Sequence, residues 1–199
     1  MDPAKLAALG ETLEPGRRPP APGPLRLVQQ FLNTRIYEPP IDVDRLATVE
    51  DARGWLVDHG LLPPPGRLTG PGHRRLVRFR NALRAFIADG PNRTVLADLA
   101  AAGPVCLGVL FDPDGVVRLE ADPATPDPLG PVLASVAEAS MTGELGRLKT
   151  CGRCGWAFYD RSRNRSGTWC AMTICGNRTK NWLYRRRRAP GPERTARRQ

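Results

Sequence analysis

Apolar residues recur at helical spacing along the upstream part of the chain, and this pattern predicts a mainly helical domain over residues 25–146. Thr48 and Asp51 have the spacing of a capping box and open one helix, which Gly60 closes. The strongest helical pattern stops at Gly90. In the first predicted helix the inward positions are Leu25, Val28, Phe31, Leu32 and Ile36, and in the second they are Val49, Ala52, Trp55 and Leu56. In the third and strongest helix they are Leu76, Phe79, Leu83, Phe86 and Ile87. The outer face of this third helix carries Arg74, Arg75, Arg78 and Arg80.

After these helices the sequence pattern changes from helical spacing to that of strands and a turn. Residues 94–102 are predicted as a short helix, and residues 105–111 and 116–120 flank an Asp-Pro-Asp-Gly turn, which predicts a β-hairpin. Cys106 falls in this hairpin and is expected to be a small buried residue. Residues 132–149 are predicted as a final helix that runs directly into the C-terminal module.

Composition narrows the class of protein. The chain has 199 residues, among them 21 Pro and 20 Gly without a triplet period, which excludes collagen. Residues 1–24 are so rich in Pro and Gly that we expect a flexible arm and linker there. No apolar run approaches the roughly 20 residues that span a bilayer, and the N-terminus lacks the pattern of a signal peptide. We therefore expect a cytoplasmic protein without a membrane partner.

Charge is distributed unevenly along the chain. The formal net charge is +10, yet residues 147–199 hold 15 Lys and Arg against two acidic residues, whereas residues 1–146 hold 15 basic against 18 acidic residues. A basic end on a neutral to acidic body is typical of a nucleic-acid-binding protein, because Lys and Arg displace the counterions around phosphates. The alternative for the arginine run is a solvated tail, and we expect residues 189–199 to be disordered.

Four of the five cysteines lie in one short segment, in the order Cys151-x2-Cys154-x15-Cys170-x4-Cys175. Two close pairs at this separation are typical of a structural zinc site, because each short loop brings two thiolates to one tetrahedral ion. We therefore predict one Zn²⁺ per chain. Two disulfides, a redox Cys-x-x-Cys pair and an iron–sulfur cluster are the alternatives, and the sequence shows no secretion signal or βαβ context to favour the first two.

The segment around the cysteines predicts a small module of knuckle, hairpin and helix. Residues 156–160 and 168–169 are predicted as its strands, residues 161–167 as the turn, and the uninterrupted run 177–188 as a helix. A module of this size needs thiolate–zinc bonds to fold. The fold class is thus mainly α with a small β-hairpin, a helical N-terminal domain followed by a four-cysteine zinc finger at 147–188. The residues expected to form the small core of the finger are Trp156, Phe158, Trp169, Trp182, Leu183 and Tyr184.

The C-terminal segment resembles a known zinc finger in its residues. A Cys-Gly-Asn-Arg tetrad at 175–178 follows a Ser-Arg-Asn-Arg-Ser loop and a Trp-Cys pair, and in these features the segment is similar to the CGNR zinc finger. The upstream chain resembles the ABATE domain that accompanies this finger, in Phe-Leu-Asn-Thr-Arg at 31–35, Trp-Leu at 55–56 and Arg-Asn-Ala-Leu-Arg at 80–84. The resemblance implies a bacterial, stress-induced, DNA-binding transcription regulator with one zinc ion.

The basic and polar residues of the finger are predicted to bind double-stranded DNA, which implies association with the nucleoid. Zinc is expected to place them on one surface, where Arg163, Asn164 or Arg178 read bases and the run 185–188 contacts phosphates. RNA or ribosome association and a protein-interaction module are the alternatives. The predicted nucleic-acid contacts are Arg163, Asn164, Arg165, Asn177, Arg178, Lys180, Arg185, Arg186, Arg187 and Arg188.

The upstream domain carries no recognisable catalytic motif. It has no phosphate-binding loop, dinucleotide fingerprint, nucleophile elbow or His-Glu-x-x-His pair, and neither His59 nor His73 lies in a catalytic pattern, so we expect a protein that is not an enzyme. We expect the domain to sense a small-molecule effector or to form a homodimer. Asn33, Arg80 and Arg84 are the candidate ligand-pocket residues, with capped or paired polar residues of a helix bundle as the alternative.

Overall fold

The computed structural model of the chain describes residues 18–38 and 41–188, apart from the side chains of residues 38, 41 and 188. Within these ranges the chain forms six α-helices and three antiparallel sheets of two strands each, so the fold is mainly α with small hairpins, as predicted. The helices are α1 (Leu25–Leu32), α2 (Val49–Asp58), α3 (Gly70–Asp89), α4 (Arg93–Ala100), α5 (Gly130–Met141) and α6 (Asn177–Arg188). The strands are β1 (Arg35–Glu38), β2 (Ile41–Asp44), β3 (Leu107–Phe111), β4 (Val117–Ala121), β5 (Leu148–Thr150) and β6 (Ala157–Tyr159).

The second helix begins as the sequence predicts. The Asp51 backbone N–H donates to the Thr48 hydroxyl over 3.1 Å, and the Thr48 N–H donates to the Asp51 carboxylate over 3.2 Å, which completes the capping box. Such a cap contributes about 1 kcal/mol, because it satisfies N–H groups that have no partner within the helix. Ala52, Trp55 and Leu56 of α2 are buried, as expected.

The main core lies among α1, α2, α3 and α5. Phe31 lies near its centre, and the ring centroids of Trp55 and Phe79 are 5.7 Å and 6.2 Å from that of Phe31. Full burial of an apolar side chain of this size contributes about 1.5–3 kcal/mol. The same core includes Leu148 and Tyr159 from the C-terminal module, so the two parts of the chain share apolar contacts.

The first helix is shorter than its apolar pattern suggests. It ends at Leu32, and Ile36, which we predicted on the helix, lies in β1 opposite Val43 of β2. In the sequence, Pro39 and Pro40 follow β1, and a residue that precedes proline is disfavoured in helical conformation, so the sequence at this point favours a strand over a helix. Sequence analysis did not predict the β1–β2 hairpin, although Pro39 and Pro40 indicate an end of the helix before this point of the sequence.

The final helix of the upstream domain also ends early, and the prediction of a continuous helix over residues 132–149 is wrong. Helix α5 stops at Met141, and Gly143 follows with a φ of +72°, a left-handed conformation that glycine adopts without strain. The chain then makes a short 3₁₀ turn and enters β5. A strand, not a helix, thus leads into the zinc module.

The β3–β4 hairpin forms around the predicted turn, with Phe111 opposite Val117. Cys106 lies just before β3 and is exposed, so its expected burial is wrong. The hairpin contacts α5 through β4, where the Leu119 N–H donates to Glu138 over 2.7 Å, and this one-sided attachment leaves much of β3 in solvent.

Residues 18–24, the end of the predicted flexible linker, pack against the body. Ala21 is buried, and its N–H donates to the Gln29 side chain over 2.7 Å. The Arg18 guanidinium lies 4.9 Å from the centre of the Phe158 ring. The rest of the predicted arm, residues 1–17, and the predicted tail, residues 189–199, lie outside the described residues. No helix within the described ranges combines the length and apolar character that a membrane crossing requires.

Candidate zinc centre and nucleic-acid surface

The four clustered cysteines converge on one point. Their Sγ atoms all lie within 4.8 Å of one another, and the Sγ atoms of Cys154, Cys170 and Cys175 are 3.7 Å apart in each pair. A tetrahedral Zn²⁺ with Zn–S bonds of about 2.3 Å has sulfur atoms about 3.8 Å apart. The cluster therefore fits a single zinc ion, and Cys151 supplies the fourth ligand.

The electrostatics of the cluster also favour a cation. All four cysteines are buried. Hydrogen bonds from Cys154 and Cys170 lower the pKa of the Cys151 thiol, whereas hydrogen bonds with Cys151 and Cys154, together with burial, raise the pKa of the Cys170 thiol. Adjacent buried thiols cannot all ionise beside one another, and a divalent cation removes this conflict by binding the thiolates.

The first pair of ligands lies on a tight turn between β5 and β6. The Cys151 N–H donates to the carbonyl oxygen of Trp156 over 2.8 Å, and the Gly155 N–H donates to that of Cys151 over 2.9 Å. Gly155 has a φ of +68°, so a residue without a side chain is favoured at the point where the chain reverses. The knuckle thus directs Cys151 and Cys154 toward the same point.

The second pair of ligands, Cys170 and Cys175, lies in the segment that leads into α6. Residues Met172–Gly176 form a π-helical turn in which the Cys175 N–H donates to Ala171 over 2.9 Å. The Thr179 hydroxyl donates to the carbonyl oxygen of Cys175 over 2.9 Å and continues the connection into α6. A metal bound to Cys175 therefore fixes the first turn of the predicted helix, which runs over Asn177–Arg188 as expected.

The strand pairing of the finger differs from our prediction. We expected residues 156–160 to pair with residues 168–169, but β6 pairs with β5, with Thr150 opposite Ala157. Thr168 instead accepts a hydrogen bond from the Gly152 N–H over 3.0 Å and so contacts the first knuckle. The hairpin forms across the knuckle because the tight turn brings its two flanking segments together.

Asp160 organises the loop of residues 161–167. Its buried carboxylate accepts hydrogen bonds from the backbone N–H groups of Ser162 and Gly167 over 3.0 Å and 2.6 Å, and the Lys149 ammonium lies 3.2 Å away. Burial opposes ionisation of Asp160, but these bonds outweigh it and hold its pKa well below the usual range. Sequence reasoning missed this residue, although it is the only acidic residue in the segment 147–188.

The predicted contacts within this loop have different surroundings. Arg163 and Asn164 are exposed, and the Asn164 side chain accepts a hydrogen bond from the Ser166 hydroxyl over 2.8 Å. Arg165 has a φ of +51°, and its guanidinium donates to the carbonyl oxygen of Gly143 over 3.3 Å. Arg163 and Asn164 therefore face solvent, whereas Arg165 also contacts the body of the protein.

The side chains of α6 are exposed around the helix. Trp182, Leu183 and Tyr184 are 54%, 40% and 55% exposed, so our prediction that they form the core of the finger is wrong. The helix is anchored at its first turn, and the side chains of residues 180–187 are all exposed. The core of the finger consists instead of Cys151, Cys154, Trp156, Phe158, Cys170, Ala171 and Cys175, with Ile36 and Trp169 packed against it.

The predicted nucleic-acid contacts among residues 177–187 of α6 are exposed as well. The Arg186 guanidinium lies 5.3 Å from the centre of the Trp182 ring, and the side chain of Arg188 lies outside the described residues. The first turn of α6 brings the exposed residues Asn177, Arg178 and Lys180 next to the metal ligands. The exposed predicted contacts of this helix are Asn177, Arg178, Lys180, Arg185, Arg186 and Arg187.

Arg80 is fully buried, and our placement of it on the outer face of α3 is wrong. Its guanidinium binds both carboxylate oxygens of Asp44, over 2.5 Å and 2.8 Å, and donates to the Thr34 hydroxyl over 3.1 Å. Burial opposes ionisation of Asp44, but the bonds from Arg80 and from the Leu46 N–H hold its pKa below the usual value. Arg80 thus joins α3 to the β1–β2 hairpin.

Asn33 and Arg84 connect the upstream domain to the finger. Asn33 exchanges two hydrogen bonds with the backbone of Ala157, and Arg84 donates to the carbonyl oxygens of Leu32 and Gly155. Burial lowers the pKa of the Arg84 guanidinium. Like Arg80, both residues bind protein groups, which is the structural alternative that the sequence left open, and a ligand pocket at these residues stays a prediction.

Comparison with protein families agrees with this architecture. Residues 147–188 match the family model of the CGNR zinc finger, and residues 25–143 match the ABATE model, described as "Putative stress-induced transcription regulator". The chain belongs to the ABATE family. The resemblance found in the sequence is thereby confirmed, and the CGNR match with four converging cysteines makes zinc the metal of the site, one ion per chain. A search of curated proteins finds no match.

Proposed function

We propose that this ABATE protein is a zinc-dependent transcription regulator that binds double-stranded DNA through its CGNR finger. One observation carries the proposal. Residues 147–188 contain 12 Lys and Arg and a single acidic residue, Asp160, and that carboxylate is buried and bonded to Lys149 and to the loop backbone. The charged groups that this finger presents to solvent are therefore cationic, which suits a phosphate backbone.

The geometry of α6 suits the major groove of DNA. A groove about 12 Å wide admits an α-helix, and the helix in this finger is exposed around its circumference from Lys180 to Arg187. Zinc fixes the first turn, where Asn177 and Arg178 lie, and Arg163 and Asn164 are exposed on the adjacent loop. In this proposal Arg163, Asn164 and Arg178 contact bases, and the arginines at 185–188 contact phosphates.

The ABATE domain has a regulatory role in this proposal. Its net charge does not suit a phosphate backbone, since residues 25–143 hold 12 basic against 14 acidic residues. It is packed against the finger through a shared core, so a change in the domain can reach the DNA-binding surface. A small-molecule effector or a homodimer contact would act through this packing.

Structured RNA is the second candidate partner. Trp182 and Tyr184 are more than half exposed on a basic helix, and exposed aromatic rings stack on unpaired bases. Duplex DNA offers few unpaired bases, so this observation favours RNA more than it favours DNA.

The salt dependence of binding, together with competition by RNA, tests duplex DNA against structured RNA as the partner. We expect full-length zinc-loaded protein to bind duplex DNA with a slope of log K against log salt of roughly −5 if about six phosphates are neutralised. Replacing Arg185, Arg186 and Arg187 by Gln should make that slope shallower by about one for each lost contact, since each arginine neutralises one phosphate. The matched control replaces three exposed arginines of the ABATE domain, Arg26, Arg74 and Arg93, by Gln.

Three results would contradict DNA binding through the finger. A slope near zero would remove the electrostatic basis of the proposal. Equal losses in the finger variant and the control variant would remove the finger as the binding surface. Displacement of the duplex by a hairpin RNA at lower concentration than by unlabelled duplex would favour the RNA partner.

A further inference from the structure

We propose that the ABATE domain completes the zinc site, with Asn33 and Arg84 as positioning residues that set the affinity of the finger for zinc. The inference concerns metal binding and folding, so it does not depend on the nature of the nucleic acid. It rests on contacts between the upstream domain and the backbone that directly follows the ligand Cys154.

The first contact is a pair of hydrogen bonds between Asn33 and Ala157. The Asn33 side-chain amide donates to the Ala157 carbonyl oxygen over 2.9 Å, and the Ala157 N–H donates to the Asn33 side-chain oxygen over 2.7 Å. Gln29 donates to the same carbonyl over 3.2 Å. These bonds replace those that a neighbouring strand would make, and they occupy polar groups that are costly to bury unpaired.

The second contact is between Arg84 and the knuckle. Its guanidinium donates to the Gly155 carbonyl oxygen over 2.8 Å and to the Leu32 carbonyl oxygen over 2.6 Å, so it links the knuckle to the end of α1. A Cβ atom added at Gly155 would lie 2.9 Å from this guanidinium. Arg84 on α3 therefore lies directly against the backbone that follows the ligand Cys154.

The third contact is apolar. Leu148 and Tyr159, at the far ends of β5 and β6, belong to the main core, and Ile36 of β1 packs against the cysteine cluster. Both strands that carry the first knuckle are thus fixed by groups of the upstream domain. A knuckle held in this way has little conformational freedom left to lose when it binds metal, and such preorganisation raises affinity.

Thermodynamic linkage makes the coupling reciprocal. If the folded ABATE domain raises the zinc affinity of the finger, zinc must stabilise the ABATE domain by the same factor. The elements that should respond are α1 and α3, because they carry Asn33 at the end of one and Arg84 within the other. Zinc is then a structural cofactor of the whole described chain.

The first test measures zinc affinity in the full-length protein by competition with a chromogenic chelator. We expect Asn33→Leu and Arg84→Gln each to weaken zinc binding by about tenfold or more, the effect typical of losing a group that orients a metal ligand. Arg84→Lys should restore part of the loss, and the absorption bands of the Co²⁺-substituted site should shift in the two weakened variants. The matched control is Arg78→Gln, which lies on α3 like Arg84 and removes an exposed ion pair with Asp98 of α4.

The second test needs no variant, so it remains decisive if the substituted chains fail to fold. Zinc is removed from the wild-type protein, and amide hydrogen exchange is followed along the chain. We expect faster exchange in α1 and α3 as well as in the finger. Unchanged zinc affinity in folded Asn33→Leu and Arg84→Gln proteins, or faster exchange confined to residues 147–188, would overturn the proposal. Neither readout involves DNA, so a failure of DNA binding leaves the inference standing.

Discussion

The two halves of the zinc finger are held in opposite ways. In the first half, β5 and β6 bury Leu148 and Tyr159 in the main core, and the backbone of Ala157 is bonded to Asn33. In the second half, α6 is fixed at its first turn by the segment that carries Cys175, and its later side chains are exposed. Metal ligands on both halves meet in one cluster, so the zinc ion joins a supported half to an unsupported one.

This difference separates the residues that maintain the fold from those available to a partner. A buried side chain in the first half can be changed only at a cost in stability, whereas an exposed side chain on α6 can be changed with little such cost. Binding surfaces are often built in this way, with variable exposed residues on a rigid support. The measurements that follow test this division, beginning with the largest expected effect.

Loss of zinc should affect the two halves unequally. Cys170→Ser removes one ligand, and zinc contributes about 10–16 kcal/mol to the folding of small zinc fingers. We expect metal analysis to fall from one ion per chain to none and the amides of α6 to exchange freely. The amides of β6 should keep partial protection, because Asn33 still binds Ala157. Stoichiometric zinc in the variant, or equal protection of both halves, would contradict this expectation.

A substitution in the first half should destabilise the whole chain. Phe158 is buried in the finger core beside the cysteines, and Phe→Ala in such a site costs about 3–5 kcal/mol. Urea unfolding of the zinc-loaded protein measures the loss. A decrease of less than about 1 kcal/mol in the unfolding free energy would mean that the core around Phe158 does not stabilise the first half. It would contradict the contrast drawn between the two halves of the finger.

The loop between the halves should show an intermediate effect. A Cβ at Gly167 would lie 2.8 Å from the Asp160 carboxyl carbon, which is fixed by its hydrogen bonds. We expect Gly167→Ala to cost about 1–3 kcal/mol, because the crowded groups have to shift. Gly54→Ala on α2 is the control, since a Cβ there meets nothing within 4 Å. Equal unfolding free energies for the two variants would count against the role of Asp160.

A substitution on α6 should have the smallest effect on stability. Trp182→Ala removes a side chain that is 54% exposed, and we expect the unfolding free energy to change by less than about 0.5 kcal/mol. Nucleic-acid affinity should fall in the same variant if the helix is the binding surface. A large loss of stability would place Trp182 in a core, and unchanged affinity would exclude this side chain from the contact.

Several features follow from the sequence because they depend on neighbouring residues. The cysteine spacing specifies the zinc ligands, since two short loops and four thiolates define the site wherever the module lies. The capping box at Thr48 and the helix after Cys175 are likewise local, and both are confirmed. Gly143 is a local signal for the end of a helix, but the apolar pattern continues past it, and for that reason the helix was predicted to be too long.

Only the tertiary structure decided how these parts meet. The sequence does not tell whether Trp182 is buried, because burial depends on which elements pack against α6, and in the described chain the side chains of residues 180–187 are all exposed. It does not tell that Asn33 binds Ala157, a pairing across 124 positions, or that β6 pairs with β5. Spacing along the chain specifies the atoms that bind the metal, whereas long-range packing specifies which side of the metal site is supported and which is exposed.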